Sequence, residues 1–231
     1  MTRSFSAFGQ EKPAFFYFYD ALCGWCYGFS PVIHQLYQQY ESEMDFEVLS
    51  GGMITGERVG RIGEVADYIK DAYRTVEQRT GVKFGQPFLE GTLAEGTAVF
   101  TSVPAATAMA IVKEAAPERQ VEFAHLLQQA VYHDGIAPAV AEAYAPYAAK
   151  VGVHEEVFLD KMKALPYRKL AEQEFKITNQ VGVRGFPTCF MKTGDQFHLI
   201  STGYQPLPEL RRGVQKVLDM LPVNPNRGDG F

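Results

Sequence analysis

The chain has 231 residues, 46% of them hydrophobic, which suffices for one domain with a large insertion or for two lobes. Its 22 basic and 27 acidic residues give a net charge of −5 without a basic cluster, which argues against nucleic acid or an anionic membrane as a partner. Residues 1–13 lack the apolar core of a signal peptide, and no run approaches the roughly 18 apolar residues of a membrane span. We therefore expect a cytoplasmic globular protein.

The first informative feature is a Cys-Gly-Trp-Cys motif at residues 23–26. It follows a strand-like aromatic run, 14–19, and opens a helix-like run that ends near Tyr40. At a strand-to-helix junction the first thiol lies at the helix start, where unpaired N–H groups stabilise a thiolate. We therefore predict a redox-active pair, with Cys23 as the nucleophile and Cys26, one turn further and more buried, as the thiol that resolves the mixed disulfide.

After a second predicted strand at 45–49, a long segment indicates helices. Residues 56–180 carry apolar side chains at helical spacing, and we predict helices throughout this segment. In the first part the apolar positions are Val59, Ile62, Val65 or Ala66, Ile69, Tyr73 and Val76. Later apolar-periodic runs cover 104–115, 117–133, 139–150, 154–165 and 167–180.

The chain returns to strands near residue 188. Predicted strands cover 188–191 and 196–201, and an amphipathic helix at 207–221 is expected to cover the sheet. Pro187 directly precedes the first of these strands, a position that suits a residue without an N–H donor, and it is a candidate for a cis peptide bond. Residues 223–231 are predicted to be a disordered tail.

Two motifs together carry a resemblance to a known family. The Cys-Gly-Trp-Cys motif and the Gly-Val-x-Gly-x-Pro-Thr pattern at 182–188 resemble those of the DsbA-like thiol-disulfide oxidoreductases of the thioredoxin superfamily. The resemblance implies an α/β fold, with a thioredoxin-like mixed sheet and a large helical insertion domain. It places the thioredoxin-like domain at 14–55 and 181–222 and the helical insertion domain at 56–180.

The same resemblance implies oxidoreductase activity of the protein disulfide isomerase type, acting on thiol or disulfide substrates that are either proteins or glutathione. It implies neither a cofactor nor a metal. Pro187 then fills the catalytic cis-proline position that faces the active pair. Trp25, Phe186 and Met53 are candidate substrate-binding residues, with a surface cap, simple packing and a plain turn as their respective alternatives.

Two further residues near these motifs have open roles. Asp20, three residues before the first cysteine, is predicted either to cap the helix or to accept a proton when Cys26 attacks. Cys189 is predicted to be an inert core thiol, with a third redox or metal-ligating thiol as the alternative.

Two other functions remain as alternatives. A glutathione-dependent transferase or isomerase of the kappa and hydroxychromene-carboxylate type resembles the same fold, but such enzymes often carry serine at the position of Cys23. The alternative of another class is a metal-binding or redox-sensing protein, in which Cys23 and Cys26, with or without Cys189, would hold an ion. The five histidines show no metal-ligand spacing, which gives this reading no further support.

Overall fold

The computed structural model describes residues 12–221 of the chain. Its strands are Ala14–Tyr19 (β1), Asp45–Ser50 (β2), Gly60–Arg61 (β3), Val99–Phe100 (β4), Thr188–Thr193 (β5) and Gln196–Thr202 (β6). Its α-helices are Gly24–Tyr40 (α1), Ala66–Thr80 (α2), Leu93–Glu95 (α3), Val103–Ala115 (α4), Gln120–Tyr132 (α5), Ala145–Lys150 (α6), Glu155–Lys163 (α7), Leu165–Gln180 (α8) and Leu207–Leu218 (α9). Short 3-10 turns cover Gly56–Arg58, Ile62–Val65, Pro117–Arg119 and Ala141–Tyr144, and a π-helical turn covers Pro87–Thr92. The predicted disordered tail lies outside the described residues.

The main sheet has the strand order β2-β1-β5-β6. β1 lies parallel to β2 and antiparallel to β5, so that Phe18 stands opposite Thr188. β1 carries aromatic side chains from Phe15 to Tyr19, which suits a strand with both faces covered. Phe15 and Tyr17 point into the core beneath α1, while Phe18 belongs to a smaller cluster on the opposite face. This mixed sheet with helices between β2 and β5 confirms the predicted thioredoxin-like fold with a helical insertion.

Helix α1 carries the cysteine pair and packs against the sheet and α5. Its buried side includes Phe29, Ile33 and Leu36, which recur at the three-to-four residue spacing of one helical face. Each such side chain contributes about 1.5–3 kcal/mol when it is removed from water. Pro31 lies inside this helix. The burial of this face fixes the helix start, and with it the two thiols, relative to the sheet.

The prediction of helices throughout 56–180 is wrong in its first part, because α2 begins only at Ala66. The segment before it forms 3-10 turns and the strand β3, which pairs with β4 in a separate two-stranded sheet. The N–H of Gly63 donates to the carbonyl of Gly96 at 3.0 Å, and a Cβ on Gly63 would lie 2.8 Å from that oxygen. The backbone at Gly63 thus approaches that at Gly96 more closely than any residue with a Cβ would allow, and this contact takes the place of the predicted helix. Val65 is left 52% exposed.

Two cores lie on either side of the start of α1. The larger core fills the space between the sheet, α1, α4, α5 and α9, and it contains Cys26. The smaller core lies under α2 and includes Leu22, Tyr27 and Tyr132. Within residues 12–221, none of the helices combines the length and the apolar character that crossing a membrane requires. The exact boundaries of the two domains stay a prediction.

Candidate active site

The two cysteines of the motif lie at the start of α1 in different environments. Cys23 is the residue before the first helical turn, with an extended backbone, and its carbonyl accepts the N–H of Tyr27 at 3.0 Å. Cys23 is 6% exposed and Cys26 is fully buried, and both are free thiols. Burial and the neighbouring Cys23 raise the pKa of the Cys26 thiol well above its ordinary value. Of the two cysteines, Cys23 is therefore the one that retains some exposed surface.

The strand β5 brings a distant segment to Cys23. The thiol of Cys23 donates to the carbonyl of Phe186 at 3.5 Å, although the two residues are 163 positions apart. The Phe186–Pro187 peptide bond is cis, and Pro187 is buried next to the start of β5. The ring of Phe186 packs against Gly51, where an added Cβ would lie 2.1 Å from it. The structure thus joins three predicted site residues, and Gly51 is an additional residue that the sequence did not single out.

The Asp20 carboxylate lies behind the motif and connects three segments. Its two oxygens accept the N–H of Leu22 at 3.0 Å, the N–H of Met53 at 2.7 Å and the hydroxyl of Ser102 at 3.0 Å. The prediction that Asp20 caps the helix is wrong, because α1 has no side-chain cap and these three donors occupy the carboxylate. Burial raises the pKa of the Asp20 carboxyl, although the hydrogen bonds favour its charged form. The alternative role of Asp20, as a proton acceptor, stays a prediction.

A cleft of about 540 Å³ opens beside the motif. Cys23, Trp25 and Met53 lie in its wall, so that two of the three predicted substrate-binding residues border the same space as Cys23. Trp25 is half-buried and packs against both cores. The hydroxyl of Tyr132, which also lines the cleft, donates a hydrogen bond to the carbonyl of Leu22. This bond ties the cleft wall to the backbone just before the motif.

Several cleft residues carry no signal in the sequence that indicates a site. Arg58 ends a 3-10 turn and Arg61 lies on β3, and their place at the cleft depends on the pairing of β3 with β4. Ile69 and Tyr73 have the predicted helical spacing, but the stripe that they form faces the cleft instead of a closed core. Periodicity alone predicts that a face is covered, but not what covers it.

The third cysteine lies apart from the cleft. Cys189 is fully buried on β5, opposite Tyr17 on β1, and burial raises its pKa to about 12. In the part of the chain from 12 to 221, no group of three or more His, Cys, Asp or Glu side chains is arranged to hold a metal ion. The described residues therefore offer no site at which Cys189 completes a metal centre.

Comparisons with known proteins agree with this architecture. A family model, the DSBA-like thioredoxin domain, matches residues 16–215. A candidate protein disulfide isomerase from Nitrosomonas europaea is 28% identical with a TM-score of 0.80, over 90% of this chain and 98% of that chain. The cytosolic disulfide reductase DsbM from Pseudomonas aeruginosa is 26% identical with a TM-score of 0.74, over 90% of this chain and 100% of that chain. Its structure with GSH gives a TM-score of 0.72 at the same identity and coverage. Among curated proteins the sequence comparison found no match.

Proposed function

Because the chain belongs to the DSBA-like thioredoxin domain family, we propose that it is a thiol-disulfide oxidoreductase that exchanges disulfides through Cys23 and Cys26. One observation carries this proposal. The reachable sulfur of Cys23 lies at the Phe186 carbonyl, next to Pro187, while the sulfur of Cys26 is fully buried one turn further along the helix. This arrangement supports a nucleophilic and a resolving thiol.

The reaction proceeds in two exchanges. The thiolate of Cys23 attacks one sulfur of a substrate disulfide, the S–S bond breaks, and the other sulfur leaves as a thiolate that takes up a proton. Cys26 then loses its proton and attacks the sulfur of Cys23, which releases the second substrate thiol and leaves a Cys23–Cys26 disulfide. Two electrons pass from the protein to the substrate, and the reverse sequence oxidises a dithiol.

Asp20 is the proposed acceptor for the proton of Cys26. Its carboxyl is buried with a raised pKa. Burial is the main cause that raises the pKa of Cys26; the charge of Asp20 adds to it, and a hydrogen bond with the Asp20 backbone lowers it. A carboxylate whose pKa lies above the ordinary value is better matched to accept a proton near neutrality. Its contacts with Leu22 and Met53 also hold the motif and the cleft wall together.

The remaining predicted site residues receive substrate in this proposal. The Phe186 backbone, set before Pro187, presents a carbonyl to the substrate strand, while its ring supports Gly51. Trp25 and Met53 contact the part of the substrate that enters the cleft.

Glutathione is the proposed small-molecule partner, and the cytoplasm the proposed compartment. The support is the Pseudomonas aeruginosa protein, which is described as cytosolic and has a structure with GSH. A reducing compartment also suits a motif whose two thiols act catalytically instead of as a structural disulfide. Glutathione would reduce the Cys23–Cys26 disulfide through a mixed disulfide on Cys23.

A set of cysteine variants tests the proposal. With an aryl disulfide as substrate, Cys23→Ser should abolish exchange, while Cys26→Ser should keep the first attack and accumulate a mixed disulfide visible by mass spectrometry. Cys189→Ala is the matched control and should leave both steps intact. Equal loss of the adduct in the Cys23 and Cys26 variants would contradict the assigned roles.

The same variants distinguish the proposed oxidoreductase from a glutathione-dependent transferase or isomerase. An enzyme of that type needs no resolving thiol, so its activity would survive in Cys26→Ser. Metal analysis of the reduced protein tests the remaining alternative, since a metal-binding protein would retain an ion in stoichiometric amount and lose it in Cys23→Ser.

A further inference from the structure

The cleft beside Cys23 has a strongly apolar lining. Its aromatic wall consists of Trp25, Tyr68, Tyr73, Phe84, Phe100 and Tyr132. Aliphatic side chains, Ile54 and Ile69 among them, fill the space between these rings. A volume of about 540 Å³ lies within the range of roughly 300–1,000 Å³ that is typical of small-molecule sites. The lining therefore fits the carbon body of a small ligand.

Two arginines lie in the same wall. Arg58 and Arg61 are exposed, and among the described residues neither guanidinium has a hydrogen-bond or ion-pair partner. Glu64 also lines the cleft, which leaves a net charge of about +1 among these three side chains. A guanidinium without a partner presents a fork of donors that matches a carboxylate.

We propose that this cleft selects small disulfides that combine an aromatic or aliphatic body with a carboxylate. The body lies against the aromatic wall, the carboxylate binds Arg58 and Arg61, and one sulfur of the disulfide lies at Cys23. This inference rests on the proposed function, because Cys23 is taken as the attacking thiol. It adds a substrate class: disulfides of low molecular weight that have an apolar body and carry a carboxylate.

The atoms and electrons of the chemical step balance without a further reagent. The thiolate of Cys23 displaces one aryl thiolate from the disulfide, and Cys26 displaces the second, so that one disulfide becomes two thiols while the protein becomes the Cys23–Cys26 disulfide. The reduced protein supplies the two electrons, and a single turnover suffices for the measurement.

The test uses two disulfides of the same shape that differ only in charge, bis(4-carboxyphenyl) disulfide and bis(4-carbamoylphenyl) disulfide. The second-order rate constant for thiol release by the reduced protein is measured for each. In the double variant Arg58→Gln, Arg61→Gln, we expect about a tenfold loss for the dicarboxylate and less than about a twofold change for the diamide. Arg79→Gln is the matched control, since Arg79 is exposed on α2 outside the cleft, and it should change neither rate.

The outcomes separate this inference from the proposed function. The inference is overturned if the double variant reacts with the dicarboxylate as fast as the unchanged protein does. It is also overturned if Arg79→Gln slows that reaction as much as the double variant does, because the arginines would then act only through the overall positive charge of the surface. Oxidised glutathione tests the aromatic wall, because it is anionic but has no aromatic body. Each rate is divided by the rate of the same disulfide with free dithiothreitol, since an aryl thiol is the better leaving group. An equal ratio for oxidised glutathione and for the dicarboxylate would overturn the role of that wall. If the unchanged protein releases thiol from neither aryl disulfide, or does so equally in Cys23→Ser, the proposed function itself fails.

Discussion

The two cores that meet at α1 differ in how completely they are closed. The larger core contains Cys26 and is sealed by the sheet on one side and by α4 and α5 on the other. The smaller core under α2 contains Leu22 and Tyr27, from the same short stretch of chain, but it opens into the cleft. Cys23 belongs to the larger core as well, but it retains some exposed surface and borders the cleft. Within a single helical turn one thiol is therefore kept out of water while the other faces the cleft, because two differently packed regions meet there.

The largest expected effect comes from breaking the closed core. Phe29 is fully buried on α1, with its ring 6.1 Å from that of Tyr17 and 6.0 Å from that of Tyr204. Phe29→Ala should lower the free energy of unfolding by about 3–5 kcal/mol, because it leaves a cavity where the structure cannot collapse. Denaturant unfolding measures this. Phe29→Leu, which keeps most of the volume, should cost much less, and an equal loss in both variants would contradict the cavity explanation.

The second prediction concerns the pH dependence of the buried thiol. Only the thiolate attacks, and burial raises the pKa of Cys26 well above its ordinary value. In Asp20→Asn, which removes the proposed proton acceptor, Cys26 must lose its proton to solvent. The rate of mixed-disulfide resolution in this variant should therefore rise about tenfold per pH unit between about pH 6 and pH 8, as the thiolate fraction does below the pKa. Rapid acid quenching with mass spectrometry measures the decay of the adduct on Cys23 in the variant and in the unchanged protein. A resolution rate in Asp20→Asn that does not change with pH would contradict the closed environment of Cys26.

A smaller effect is expected at the contact between the two regions. The hydroxyl of Ser102 donates to Asp20 and accepts the N–H of Ile54 at 2.9 Å, which links the closed core to the cleft wall. Ser102→Ala removes the hydrogen bonds to the Asp20 carboxylate and to the N–H of Ile54 in a buried place. We therefore expect a loss of about 1–3 kcal/mol in the free energy of unfolding. Thermal and denaturant unfolding should agree on this value. An unchanged stability would show that the link does not contribute.

The smallest effect on stability is expected in the wall of the cleft. Tyr68 is 74% exposed at the cleft, and Tyr68→Ala should change the free energy of unfolding by no more than about 0.5 kcal/mol. It should nevertheless slow the reaction with the aryl disulfides, because it removes one ring of the wall. Leu165→Ala, at a residue that is 59% exposed outside the cleft, is the control for both measurements. A large loss of stability in Tyr68→Ala would show that the wall is part of the core.

The sequence predicts the sheet and the larger core well, because the residue patterns that specify them are local. The aromatic run of β1, the motif at 23–26 and the proline at 187 each lie within a few residues of the element that they specify. The two strands after the proline are also predicted close to their observed bounds, since alternation and a turn mark them. Local propensity and the tertiary contacts agree in this region.

The open region is harder to predict for physical reasons. The cleft is bounded by residues from the turns before α2, from β4 and from α5, and only tertiary contacts bring these together. Arg58 and Arg61 are ordinary surface arginines in the sequence, and nothing near them indicates a site. The error at Asp20 has a similar origin, because its carboxylate turns away from the nearby helix to Met53 and Ser102, which lie far along the chain.

The place of β1 in the sheet has a consequence for synthesis on the ribosome. β1 lies between β2 and β5, and the partner of Cys23, Phe186, emerges 163 residues later. At about 5–20 residues per second, the interval is roughly 8 to 33 seconds. During that time the nascent chain exposes one edge of β1 and two thiols that lack their final neighbours. Over that interval the two thiols of the motif can exchange with disulfides in the surroundings before the Phe186 carbonyl reaches Cys23.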